Sequence, residues 1–197
     1  MAIIATTAGM RNAIPEGVYN AVCTRVVDIG TQYNERFGSS ARKVMLSWEV
    51  SDCTIDVDGK PMPRMISKDF TLSIKDRSAL KPFLEAWRGR AFTEEELSGF
   101  DLRAVLGAPC QMQIIHNNAG YERVNCVIPL SKGADKPKPV TETIYFDLTD
   151  PNCLDVIDRL PGWVRDKIKA SPQYSELTSE MPAHDDFYEL DEDDLPF

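Results

Sequence analysis

Apolar residues recur along this chain with two different periods, and the switch between them divides it into elements. Val44, Leu46, Trp48 and Val50 fall at every second position, with Lys43, Met45, Ser47 and Glu49 between them, which puts one apolar face on a β-strand. Upstream, Val18, Val22, Val26, Val27 and Ile29 form a β-rich run to about residue 29. Its alternation is mixed, as expected of a long strand bending around a barrel. Downstream, Ile66, Phe70, Leu72 and Ile74 alternate again, and Lys68 intrudes on their face. The polar stretch 30–41 predicts a long loop between the first two strands, and Asp58-Gly59 with Pro61 and Pro63 predicts a turn-rich loop between the second and third.

After Asp76 the period becomes helical. Leu80, Phe83, Leu84 and Trp87 make one stripe, Pro82 falls near the first turn where it is tolerated, and Gly89 ends the helix. Thr93 and Glu96 have capping-box spacing for a short second helix, and Leu102 to Leu106 add another turn. The alternating runs Cys110-Met112-Ile114 and Val124-Cys126-Ile128, joined by turn residues 117–120, predict a closing hairpin with His116 at its rim. The expected fold is mainly β: a five-stranded OB-fold barrel over residues 17–130, with a helical insert between strands 3 and 4.

The flanks are simpler. Residues 1–16 are a flexible lead-in, and residues 131–143, with Gly133, Pro137 and Pro139, predict a linker. Residues 144–170 predict a short strand (Ile144, Phe146, Leu148) and two helices, the first entered through Asp150-Pro151 and the second carrying Trp163, Val164 and Ile168. This C-terminal extension is expected to pack on the barrel or on another copy of the chain, so a homo-oligomer stays open. Residues 171–197 are expected to be a disordered acidic tail.

Charge changes the picture because it is unevenly placed. The net charge is −9, yet residues 1–140 carry 18 Lys+Arg against 16 Asp+Glu, and residues 141–197 carry 4 against 15. The body is therefore free to present a basic face despite an acidic total. The five cysteines show no CxxC pair, which reads as reduced thiols in a cytoplasm with no zinc site. No phosphate-cradling glycine motif is present, no apolar run reaches the length of a membrane span, and the Asp56-Val57-Asp58-Gly59 start of a calcium loop lacks its closing Glu. No catalytic residue, metal or cofactor is expected.

What the residues do offer is the chemistry that holds single strands: cations that follow phosphates and rings on which bases stack. Tyr33, Arg36, Phe37, Arg42 and Lys43 cluster in the loop after the first strand, which overhangs the binding face of an OB-fold. Tyr121 and Arg123 add outward positions on the last strand, and Arg25 and Lys68 add cations from theirs.

The body resembles a family of phage-encoded OB-fold single-stranded DNA-binding proteins. The resemblance rests on Ser67-Lys68-Asp69-Phe70-Thr71-Leu72-Ser73, Trp87-Arg88-Gly89-Arg90-Ala91-Phe92-Thr93, Gly99-Phe100-Asp101-Leu102, Leu106-Gly107, His116, Leu160-Pro161-Gly162-Trp163 and Lys167-Ile168. It implies a protein that coats single-stranded DNA during phage replication or recombination, in the host cytoplasm. The chain end, Asp191, Glu192, Asp193, Asp194, Leu195, Pro196 and Phe197, is similar to the acidic C-terminal tail of bacterial and phage single-stranded DNA-binding proteins. That similarity implies a docking hook for replication, recombination or repair proteins. Acidity at the C-terminal end also fits a protein-docking adaptor or DNA-mimicking inhibitor whose active surface is that end.

Overall fold

The alternating run at 44–50 lies inside the longest strand, β2 (Ser39–Val57), which pairs antiparallel with β1 (Gly17–Asn34) on one side and β3 (Lys60–Thr71) on the other. The computed structural model describes residues 13–35 and 38–179. Both hairpins are tighter than the sequence pattern predicts. β1 continues past Ile29 to Asn34 and β2 begins at Ser39, so of the long loop expected over 30–41 only residues 35–38 lie between the strands. Register shifts at Cys23/Arg25 and Asp28/Gly30 reset the alternation of β1 and explain its mixed apolar pattern. Gly30 permits the second shift: its φ is +68°, and a Cβ there would lie 2.4 Å from the Ser171 side chain. β2 and β3 meet at Asp58 and Gly59, both with positive φ, and the Gly59 N–H donates to Asp56 Oδ1 at 2.8 Å.

β4 (Pro109–His116) and β5 (Glu122–Ile128) form the expected closing hairpin, and β4 pairs with the first residues of β1. The strand order is β3-β2-β1-β4-β5, so a ladder between β3 and β5 is what a barrel needs to close. None forms. The closed five-stranded barrel is thus corrected to an open sheet, with a sixth short strand on the far side of β1 from β2. The physical reason lies at Lys68, whose register opposite Leu46 places it on the inward-facing side of β3. Its ammonium sits 5.1 Å from the Phe83 ring centroid and 5.4 Å from that of Phe70, and donates to the Val124 carbonyl of β5 at 2.9 Å. A side chain occupies the space where a backbone ladder would run. Arg64 to Glu122, at 3.2 Å, makes a second bridge across the same seam.

The inner face of the sheet is covered by the helical insert. α1 (Leu80–Arg88) buries the stripe Leu80, Phe83, Leu84 and Trp87 against Trp48, with ring centroids 5.8 Å from Trp48 to Phe83 and 5.7 Å from Trp48 to Trp87. Each such side chain removed from water contributes roughly 1.5–3 kcal/mol. Gly89 closes α1, and α2 (Glu94–Ser98) has the full capping box between Thr93 and Glu96 that the spacing predicts. A 3-10 turn at Leu102–Val105 leads into β4.

The outer face is covered by the extension. β6 (Ile144–Phe146) runs parallel to β1, and α3 (Leu154–Ile157) and α4 (Gly162–Lys169) follow. Phe146, Ile157, Leu160, Val164 and Ile168 bury themselves with Val27, Ile29 and Met45 in a second apolar layer. The segment 131–143 crosses to this face and is pinned there by Glu49, which is 1% exposed and accepts from the Val140 and Thr141 N–H groups at 2.8 Å each and from the Thr141 hydroxyl. Order also extends past residue 170. Ser171 caps α5 (Pro172–Ser179), accepting from the Tyr174 N–H at 3.3 Å with Pro172 at the first helical position, so Pro172–Ser179 is helix where disorder was expected. Gln173 locks α5 to β1, accepting from the Thr31 N–H at 2.8 Å and donating to Thr31 Oγ1 at 2.9 Å.

Candidate nucleic-acid interface

The open seam between β3 and β5 widens into a groove of about 820 Å³. β3 supplies Lys68 and Asp69, the β4–β5 hairpin supplies Tyr121 and Arg123, and α4 supplies Trp163 and Lys167. Two of its rings are open to solvent: Tyr121 is 47% exposed and Trp163 51%. The remaining tryptophans, Trp48 and Trp87, are core residues.

Charge in the groove is sorted by pairing. Asp69 is taken by Lys167 at 2.6 Å and Glu122 by Arg64 at 3.2 Å, which neutralises the two carboxylates that line it. Arg123 is exposed and forms no ion pair among the described residues. Burial pushes the Lys68 ammonium below its ordinary value, and the positive charge of Arg123 acts in the same direction. Two cations close enough to raise each other's cost make a site that an anion relieves.

Three of the nine DNA-contact residues expected from sequence therefore meet in one place: Lys68, Tyr121 and Arg123. The others do not join them. Tyr33, 66% exposed, stands near the end of β1, and Lys43 lies on the Met45 side of β2. Arg42 is held by Asp28 and reaches Asp147 at 4.0 Å, lining a separate cavity of about 260 Å³ with Tyr145. Arg25 is half-buried with its Nε enclosed without an acceptor, and burial pushes its guanidinium below its ordinary value, with Glu49 offsetting part of this. Arg36, Phe37 and the hook Asp191–Phe197 lie outside the described residues.

Helical period groups Trp163 with the apolar stripe of α4, so neither Trp163 nor Lys167 is expected at the site from sequence. Their spacing of four was the available signal. It sets them about 100° around α4 from Val164 and Ile168, which alone are fully buried. The Lys167 Nζ lies 5.3 Å from the Trp163 ring centroid.

Burial pushes the Cys23 thiol up to about 12, and His116 is engaged by the Ile14 carbonyl at 2.7 Å. Among the described residues, no group of three or more His, Cys, Asp or Glu is arranged to hold a metal ion, and no helix is long and apolar enough to cross a membrane. The arrangement suits non-covalent capture of a chain that is anionic along its length and carries flat apolar groups. No protein-family model, no curated protein and no solved structure matches this chain.

Proposed function

We propose that this is a non-catalytic single-stranded DNA-binding protein, an OB-type sheet left open at the seam where the strand is held. The groove itself carries this reading: exposed rings and an arginine that forms no ion pair among the described residues converge over a lysine at the seam where the sheet does not close. Phosphates would be met by Arg123 and Lys68, and bases by stacking on Tyr121, a contact worth roughly 1–3 kcal/mol per base. In this reading the protein coats single strands during phage replication or recombination in the host cytoplasm, a setting that suits its free thiols. The hook at Asp191–Phe197 recruits partner proteins, and while DNA is absent its carboxylates compete for the cationic groove.

Fluorescence anisotropy of a labelled oligo(dT) tests this. Binding is expected at low salt, with log K falling linearly as log salt rises, because bound phosphates release their counterions. Arg123→Ala and Tyr121→Ala should each weaken it. Removing residues 191–197 should tighten binding at low salt and abolish partner recruitment. The excess of 15 acidic over 4 basic residues after residue 140 favours a second reading, an adaptor or DNA mimic acting through that end. Absence of oligo(dT) binding at low salt refutes the first reading and favours the second.

A further inference from the structure

α4 belongs to the outer layer of the sheet, yet one flank of it reaches the groove. Its buried flank is fixed: Val164 and Ile168 are fully buried, and the Gln32 side chain donates to the Lys167 carbonyl at 2.9 Å. The Trp163 ring is therefore a large apolar plane held on a rigid support, half open to solvent, facing the hairpin residues across the seam. Its neighbour Lys167 is stored on the Asp69 carboxylate at the lip of the same groove. Both groups are only 37% and 29% exposed at their side chains, so the ion pair is shielded without being locked away.

We propose that α4 is the second wall of the strand-binding groove, with Trp163 as the stacking platform for an unpaired base and Lys167 as a cation that exchanges the Asp69 carboxylate for a backbone phosphate. This rests on the groove being a single-strand site, and it makes the C-terminal extension part of the binding surface. Asp69 then acts as a built-in competitor that sets affinity. A ring offers every base the same face, so this wall grips without reading sequence.

The chain's own tryptophans make the test specific. Trp48 and Trp87 are 0% and 4% exposed, so quenching of intrinsic fluorescence by oligo(dT) reports on Trp163. Wild-type fluorescence should fall on titration with oligo(dT). Trp163→Phe should keep most of the affinity measured by anisotropy while losing the quench, and Trp163→Ala should bind about 5- to 150-fold more weakly. Lys167→Ala should lower the salt slope by about 0.7, the share of one phosphate contact on a single strand. Asp69→Asn should tighten binding by up to about fivefold at low salt, the range of a partly exposed ion pair. If wild type binds while Trp163→Ala binds equally and no quench appears, α4 is not a wall of the site although the single-strand reading stands. If wild type does not bind at all, the single-strand reading has failed and this one with it.

Discussion

Replacing Glu49 by alanine probes the contact that fastens the chain's crossing segment, residues 131–143, to the sheet. The carboxylate accepts from two backbone N–H groups at 2.8 Å and from a hydroxyl, and it steadies the charge of the half-buried Arg25. Hydrogen bonds to a charged group contribute about 1.5–3 kcal/mol each, which for three sets a ceiling well above what a variant will show. Water lowers the cost, because Val140 is 65% exposed and the freed donors are rehydrated as the segment lifts. The expected loss is about 2–4 kcal/mol, or a fall in Tm of about 5–15 °C for a chain of this size. Urea denaturation measures the loss. Trypsin locates it, since cleavage after Lys132 should quicken while Lys136 and Lys138 are protected by the prolines that follow them. Glu49→Gln, which keeps one acceptor oxygen, should fall between. An alanine variant within about 0.5 kcal/mol of wild type, with unchanged cleavage, would refute the assignment of this carboxylate as the fastening.

Three further outcomes are expected. Arg90, with help from the Thr93 N–H and Arg88, holds the Glu96 carboxyl at about 2 instead of its ordinary 4.5. Stability from this group is complete above pH 4.5 and lost as pH falls toward 2, so urea midpoints followed through that window should drop for wild type and stay flatter for Glu96→Gln. Gly30→Ala meets both a φ of +68° and the Ser171 side chain at 2.4 Å, so it should cost more than the roughly 1 kcal/mol of backbone strain alone and raise amide exchange in α5. Because the Lys68 ammonium lies below its ordinary 10.5, oligo(dT) affinity should decline as pH rises toward that value, whereas Lys68→Arg, charged throughout, should hold a flatter profile; parallel profiles would remove Lys68 from the contact.

Periodicity exposed the elements that bury one face. The stripe of α1, the alternation of β2 and the Thr93–Glu96 cap were all legible, because a single local period governs each. What periodicity could not carry was any feature decided by a distant partner. β1 runs on past Gly30 in its pairing with β2, and Ser171, 141 positions later, packs where a side chain at Gly30 would be. The extent of α5 depends on Gln173 meeting Thr31, and the fixing of residues 131–143 depends on a glutamate that alternation had assigned to the outward face of β2. Site residues followed the same division. Tyr121 and Arg123 were readable as outward positions of a hairpin, whereas Arg42 was not readable as the partner of Asp28 and Asp147.

Lys68 ties the fold to the site. A lysine on the inward side of a strand is costly unless its charge finds a partner, and the Val124 carbonyl is that partner only if β5 withholds it from a ladder with β3. The residue that prevents closure is thus also the floor of the groove that non-closure creates. A hydrophobic residue in its place would remove the charge and the reason for the gap together, so the two effects of Lys68 separate only with a substitution that keeps the cation and changes its reach. Arginine does this: its planar, always-charged group spans the same seam with more donors. Retained binding in Lys68→Arg together with loss in Lys68→Leu would mean that the strand requires a cation across the seam and not the particular reach of lysine.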